Sequence, residues 1–358
     1  MRVLAYISGH GYGHSTRVVA LLEALRERHP QAAITLRTQV PAWLFEVALK
    51  PPYDHQTAQI DAGVVELDLL RQDVPGTLAA CQAFYGRLDE VIEREVAAAS
   101  ALRPDLILSD IPPLASAVGA RLGVRTVALG NFSWDFIYGA YINQEPAFAP
   151  IVARCAELYR QTSLLLRLPF CHEMTAFPAQ VDIPLIARWP EQPVAQTRAQ
   201  LGLAADDPRP VVLVVSRHPA SGDQMIASLV ATGQYRVLRF GPSSQREEGL
   251  WLLGPEWQSR FVDVLAACDA VVSKLGYGLV SECLTAKTAI LYPPRHDFAE
   301  YPILAAGLDG QLPSRCVSEE DFVAGRLAEP LEALLAQPGE FAQPPRNAPE
   351  QAVAAMLG

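Results

Sequence analysis

Val3-Leu4-Ala5-Tyr6-Ile7-Ser8-Gly9-His10-Gly11-Tyr12-Gly13-His14-Ser15-Thr16-Arg17 is the stretch that decides the fold. Its apolar start is short enough for a buried strand, and Val18, Leu21, Leu22 and Leu25 then recur at helical spacing. The alternate glycines between them allow a tight turn and close backbone approach, and Ser15 or Thr16 can cap the helix that follows. Strand, glycine turn and helix in that order make the first βα unit of a parallel sheet.

Outward from this unit the pattern repeats. Residues 34–36 read as a second strand, and Leu78, Cys81, Phe84, Leu88, Val91 and Ile92 predict one long amphipathic helix ending before Pro104. Strands are expected at 106–108, 124–129 and 164–166, with helices through Val118 and Leu122 and through Ile151, Cys155, Leu158 and Tyr159. From about 170 to 193 the alternation lapses and prolines stand at 178, 184, 190 and 193, which suits an inter-domain connection. Strands then resume at 211–215, 235–240, 270–272 and 289–292. The expected architecture is α/β: two Rossmann-like, doubly wound parallel sheets facing a central cleft. Residues 1–170 form the first domain and 190–340 the second, and 341–358 hold a helix with Val353, Met356 and Leu357 that packs back on the first.

Composition agrees with this plan. The 358 residues are too many for one ordinary core, and 50% hydrophobic with 19% charged residues supply apolar material for two. A formal net charge of -10 opposes nonspecific binding to nucleic acid or an anionic membrane. Cys81, Cys155, Cys171, Cys268, Cys283 and Cys316 are scattered, with no CxxC pair and no histidine at zinc-ligand spacing, so they read as small core residues and no metal site is expected. The first strand begins too early for a signal peptide and no apolar run reaches membrane-spanning length, so a cytoplasmic location is expected.

The first glycine loop is not a dinucleotide fingerprint: His14 holds the third glycine position, and the second strand ends Arg37-Thr38 without the ribose-binding acid. A P-loop is also lacking. His14 at the sheet's carboxyl end is suited to take a proton near neutral pH; His10 shares the loop and divides evenly between a catalytic and a structural role. Arg17 can meet an anionic group or pair with a neighbouring carboxylate. The second glycine motif runs Asp269-Ala270-Val271-Val272-Ser273-Lys274-Leu275-Gly276-Tyr277-Gly278-Leu279-Val280-Ser281-Glu282. A helix opened by such a turn offers free N–H groups and its positive dipole end to a diphosphate, and Glu282, farther into the helix, can accept from both hydroxyls of a ribose. After the next strand, Asp297 and Glu300 can bind sugar hydroxyls while Arg295 or His296 steadies phosphates.

These residues resemble a known group. The first glycine loop, the segment Gly130-Asn131-Phe132-Ser133-Trp134-Asp135-Phe136-Ile137-Tyr138, Arg167-Leu168-Pro169 and the motif from Lys274 to Glu282 look like the N-terminal, glycosyltransferase-like half of plant L-arabinokinases. The kinase half of that family has no counterpart in these residues, so ATP-dependent sugar phosphorylation is not expected of them. More distantly, the second motif resembles the peptidoglycan N-acetylglucosaminyltransferase and related inverting enzymes of the GT-B fold. That likeness places a histidine at His14, a ribose-capping carboxylate at Glu282 and a base-packing aromatic at Trp257. The loop Ser216-Arg217-His218-Pro219 departs from the family, which carries a glycine cluster there.

The resemblance implies an inverting, metal-independent transferase that moves a sugar from a nucleoside-diphosphate sugar, a UDP-sugar first, to a hydroxyl acceptor. His14, or His10, would be the base. Ser216, Arg217, Trp257, Lys274, Gly276, Tyr277, Gly278, Ser281, Glu282, Arg295, Asp297 and Glu300 would bind the donor. Gly11, Tyr12, Gly13, Arg17, Asp110, Asn131, Trp134 and Asp135 would bind a small-molecule or glycan acceptor, with Trp134 either stacking on a sugar ring or buried in the core. A nucleotide-sugar-binding module without turnover and an epimerase of the same fold are the alternatives.

Overall fold

The structure, a computed structural model, describes residues 1–358 other than 217, 218 and 338; the side chains of 47 and 219–221 also lie outside the description. The first sheet comprises β1 (Arg2–Ile7), β2 (Ala33–Thr38), β3 (Asp54–Thr57), β4 (Leu106–Asp110), β5 (Thr126–Gly130), β6 (Leu164–Arg167) and β7 (Gln180–Asp182). Their spatial order is β3-β2-β1-β4-β5-β6-β7, parallel throughout. The second sheet comprises β8 (Val211–Val214), β9 (Arg236–Phe240), β10 (Gln245–Glu247), β11 (Leu250–Leu253), β12 (Ala270–Val272), β13 (Ala289–Tyr292) and β14 (Ser314–Cys316). It is ordered β10-β11-β9-β8-β12-β13-β14, and only the β10–β11 pairing is antiparallel. Helices cover both faces of the central strands, which is why β4, β8, β12 and β13 are buried along their whole length. In each sheet the strand order reverses beside a central strand, at β1/β4 and β8/β12, and a crevice opens there at the carboxyl ends.

Two expectations need correction. The single long helix is two, Val74–Tyr85 and Leu88–Leu102, because the chain turns at Gly86, where an added Cβ would lie 2.8 Å from the Gln82 carbonyl. The proline-rich connection also carries a strand, β7, which finishes the first sheet.

Three features tie the halves together. One apolar cluster runs from Ile7 and Leu36 in the first sheet through Ile186 to Val211 and Ile290 in the second. The C-terminal helix, Ala348–Leu357, packs on α1 (Gly13–Arg28) and on β6, burying Val353 and Met356. Residues 65–73 fold into a hairpin-like clasp: the Asp73 N–H donates to the Val65 carbonyl at 2.8 Å, and Glu66 bridges to Gln72. At its tip, Leu69 and Leu70 are buried with Val212, Val214 and Phe322 of the second domain, worth roughly 1.5–3 kcal/mol each. The His296 N–H donates to the Leu70 carbonyl at 2.9 Å, and Arg71 pairs with Glu319. Among the described residues no helix is long and apolar enough to cross a membrane. All six cysteines are free thiols.

Candidate active site

The two glycine turns meet. The turn after β1 uses Gly11 at φ 85°, a left-handed conformation open to glycine, and delivers the chain into α1. The turn after β12 delivers it into the helix Tyr277–Ala286. An added Cβ on Gly278 would lie 3.0 Å from the Gly13 Cα, so only bare backbone lets the two helix N-termini approach this closely. Between them lies a cleft of about 890 Å³, lined by both turns.

On the first-domain wall His14 and Arg17, one turn apart on α1, converge on Asp110 at the end of β4. His14 Nδ1 is 2.7 Å from Asp110 Oδ1, while Arg17 Nε and Nη2 donate to the two carboxylate oxygens at 2.5 and 2.6 Å. Asp110 is wholly buried; burial alone would push its carboxyl up, but the Arg17 charge and His14 outweigh it and hold the group below the usual carboxylate range. A carboxylate partner favours the imidazole tautomer with its proton on Nδ1, which leaves Nε2 as the acceptor nitrogen. Phe132 packs edge-on against the imidazole at 5.5 Å. The network then crosses the cleft: Arg17 Nη1 donates to Asn131 Oδ1 at 2.7 Å, and Asn131 Nδ2 donates to Glu300 Oε1 at 2.6 Å. Arg17 also stacks over the Tyr277 ring at 5.3 Å.

Several expected acceptor contacts are thereby reassigned. Arg17 and Asn131 line the cleft, but their polar groups and those of Asp110 are engaged by one another, by His14 and by Glu300, so Arg17 meets a carboxylate of its own chain. Trp134 is fully buried, stacked on Tyr138 with its indole N–H donating to Asp61 Oδ2 at 3.1 Å, and has no open face for a sugar. Asp135 lies off the cleft, with burial raising its carboxyl pKa. Gly11, Tyr12 and Gly13 do line it, and Trp43, which the sequence reading missed, meets Tyr12 edge-on at 5.7 Å on the same rim. His10 faces the cleft between Trp134 and Phe298; burial, with His14 nearby, drives its pKa down to about 3, so it is neutral.

On the second-domain wall Lys274, Gly276, Tyr277, Gly278, Glu282, Arg295 and Glu300 all line the cleft. Glu282 is held by Arg188, whose Nε donates to Oε1 at 2.7 Å. Lys274 and Arg295 share one carboxylate, Glu66 of the clasp. Other donor residues move out. Ser281 turns its hydroxyl back into its own helix, onto the Gly278 carbonyl at 2.9 Å. Asp297 faces a smaller neighbouring cavity, where Gln144 Nε2 donates to its carboxylate at 3.0 Å. Trp257 stacks with Arg260 at 4.8 Å, and its neighbours Gln258 and Phe261, with Phe240, line the cleft instead. Ser216 packs toward Gly222, and Arg217 lies outside the described residues. Glu66, Arg188 and Gln258 were missed because single polar residues outside a motif carry no signal of what they face.

No family model matches the chain. It is similar to solved glycosyltransferases over nearly its whole length. The Streptomyces sp. SF2575 glycosyltransferase SsfS6 is 18% identical, with a TM-score of 0.60 and 100% of both chains covered. The calicheamicin glycosyltransferase CalG4 is 16% identical at TM-score 0.61, over 99% of this chain and 93% of that one. UGT89C1 of Arabidopsis thaliana, solved complexed with UDP, is 15% identical at TM-score 0.58, over 100% and 99%. The fold is therefore GT-B, two Rossmann-like sheets across a cleft. In sequence the chain is similar to L-arabinokinase of Arabidopsis thaliana, 32% identical over 308 residues, which are 84% of this chain and 29% of that protein. It thus spans less than a third of the relative it matches.

Proposed function

We propose that this protein is an inverting glycosyltransferase that moves a sugar from a nucleoside diphosphate to a hydroxyl acceptor. The observation that carries the reading is the His14–Asp110 pair on one wall of the cleft, opposite a glycine-opened helix N-terminus on the other. The acceptor lies over the first glycine turn, with Tyr12 and Trp43 on its rim. His14 Nε2 takes the acceptor hydroxyl proton, and Asp110 stabilises the imidazolium that forms. The acceptor oxygen bonds to the anomeric carbon as the bond from that carbon to the phosphate oxygen breaks on the opposite face, which inverts the centre.

The departing diphosphate is met by the N–H groups opening the helix Tyr277–Ala286 and by Lys274 and Arg295, which carry its charge without a metal ion. Glu282 takes the ribose hydroxyls. The base lies against Phe261 and Phe240 with Gln258 as its polar contact, and the likeness to a glycosyltransferase solved complexed with UDP makes a UDP-sugar the favoured donor.

The test is incubation with nucleotide-sugars and a panel of hydroxyl acceptors, with released nucleotide and sugar read by mass spectrometry. Acceptor-dependent release of nucleotide is expected. Binding without release would make the protein a nucleotide-sugar-binding module, and an isomerised sugar would make it an epimerase. His14→Ala should keep donor affinity while turnover falls about 10²–10⁴-fold. A variant that turns over normally would end the general-base role of His14.

A further inference from the structure

Glu66 occupies the seat that the donor diphosphate needs. Its Oε1 lies 2.5 Å from Lys274 Nζ and 3.2 Å from Arg295 Nη2. Lys274 comes from the turn between β12 and the helix Tyr277–Ala286, and Arg295 from the loop after β13. Arg295 is buried, its Nε has no hydrogen-bond partner among the described residues, and its guanidinium lies over the Phe298 ring at 4.4 Å. Two cations beside a helix N-terminus make a site for an anion, and the anion in it belongs to the chain itself. Burial pushes the Glu66 carboxyl up, but the Lys274 hydrogen bond and the charges of Lys274, Arg295 and His10 prevail and hold it below the usual range.

A diphosphate brings at least two negative charges and more acceptor oxygens than the single carboxylate of Glu66. The clasp that carries Glu66 is anchored elsewhere, by Leu69 and Leu70 in the second-domain core and by the Leu70 carbonyl. The Glu66 side chain can therefore swing off the cations while the clasp stays docked. We infer that Glu66 is a resident counter-ion of the diphosphate seat, exchanged for the donor's diphosphate on binding and returned to Lys274 and Arg295 when the nucleoside diphosphate leaves. This rests on reading the second glycine turn as that seat. Glu66 holds the two cations in place in the empty protein and competes with the product for them.

Calorimetry of inorganic pyrophosphate and of UDP with the full chain, wild type and Glu66→Gln, tests the exchange. Removing one negative charge at contact distance in a half-solvated cleft should tighten pyrophosphate binding about tenfold. A purely structural glutamate would give unchanged or weaker binding, and that result overturns the inference. Carboxyl-labelled glutamate NMR on the wild type provides a readout independent of the variant's folding. Addition of pyrophosphate should move the Glu66 titration up toward the ordinary carboxylate range, and a Glu66 signal unmoved at saturating pyrophosphate refutes the exchange. If UDP binds while pyrophosphate is indifferent to Glu66, the exchange fails and the donor reading stands; if neither ligand binds either protein, both fall.

Discussion

Asp110 accepts hydrogen bonds from both Arg17 and His14 in a place water does not reach, so its charge matters more than its shape. Asp110→Asn keeps the shape and strands the Arg17 guanidinium as a buried, uncompensated cation. The expected loss is about 3–5 kcal/mol of stability, read as a lowered urea midpoint, with kcat falling more than KM changes. An unchanged midpoint would show that Arg17 does not depend on the pair. His10 gives the residue scale its pH dependence. Folded, it resists protonation down to about 3, whereas an unfolded histidine titrates near 6.5. Between those values the unfolded chain binds the extra proton, so this contribution to stability is full above pH 6.5 and is lost as pH falls. Midpoints measured from pH 7 to 5 should decline, and His10→Gln should flatten the decline. Little of this pairing was legible in the sequence. His14 announced itself by its glycine loop, but its partner stands 96 residues away, and nothing in the pattern around Asp110 or Asn131 says that they would be consumed by a network rather than offered to a ligand. Trp134 had two open readings, and packing chose the core.

At the scale of elements, the contact between the two glycine-opened helices leaves no room for a side chain. Gly278→Ala would press a methyl against the Gly13 backbone, which has no side chain to yield, at a cost of about 1–3 kcal/mol. The helix Tyr277–Ala286 must then back away from α1. UDP affinity should weaken several-fold by calorimetry, while Gly276→Ala, whose added Cβ meets nothing within 4 Å among the described residues, should leave it near the wild-type value. Equal loss in both variants would place the effect in the turn and not in the helix contact. The same scale explains which strands could be read ahead of the structure. The central ones are buried on both faces and appear as apolar runs. β3, β7, β10 and β14 are short edge strands with polar residues, and were overlooked because an edge is defined by its neighbour and not by its own hydrophobicity. The clasp has no period at all, so neither its two leucines nor Glu66 could be assigned to the opposite domain.

For the whole molecule, the C-terminal helix is the far end of a loop of chain that begins in the first domain, builds the second and returns. Removing residues 348–357 exposes the face of α1 it covers and forfeits the burial of Val353 and Met356, roughly 3–6 kcal/mol together. The truncated protein should unfold at a clearly lower urea concentration, and an unchanged midpoint would mean that the helix contributes nothing to the fold. The return also governs motion. The outgoing connection passes through Trp189 and the returning one through Arg346, and these two side chains stack at 4.0 Å. A body held to another by one flexible strand can tumble about three axes, but a second strand beside the first removes two of them. The clasp, docked through Leu69 and Leu70 in a different apolar cluster, is a third attachment, so with Trp189 and Arg346 it makes a three-point mounting that holds the two walls of the cleft in register.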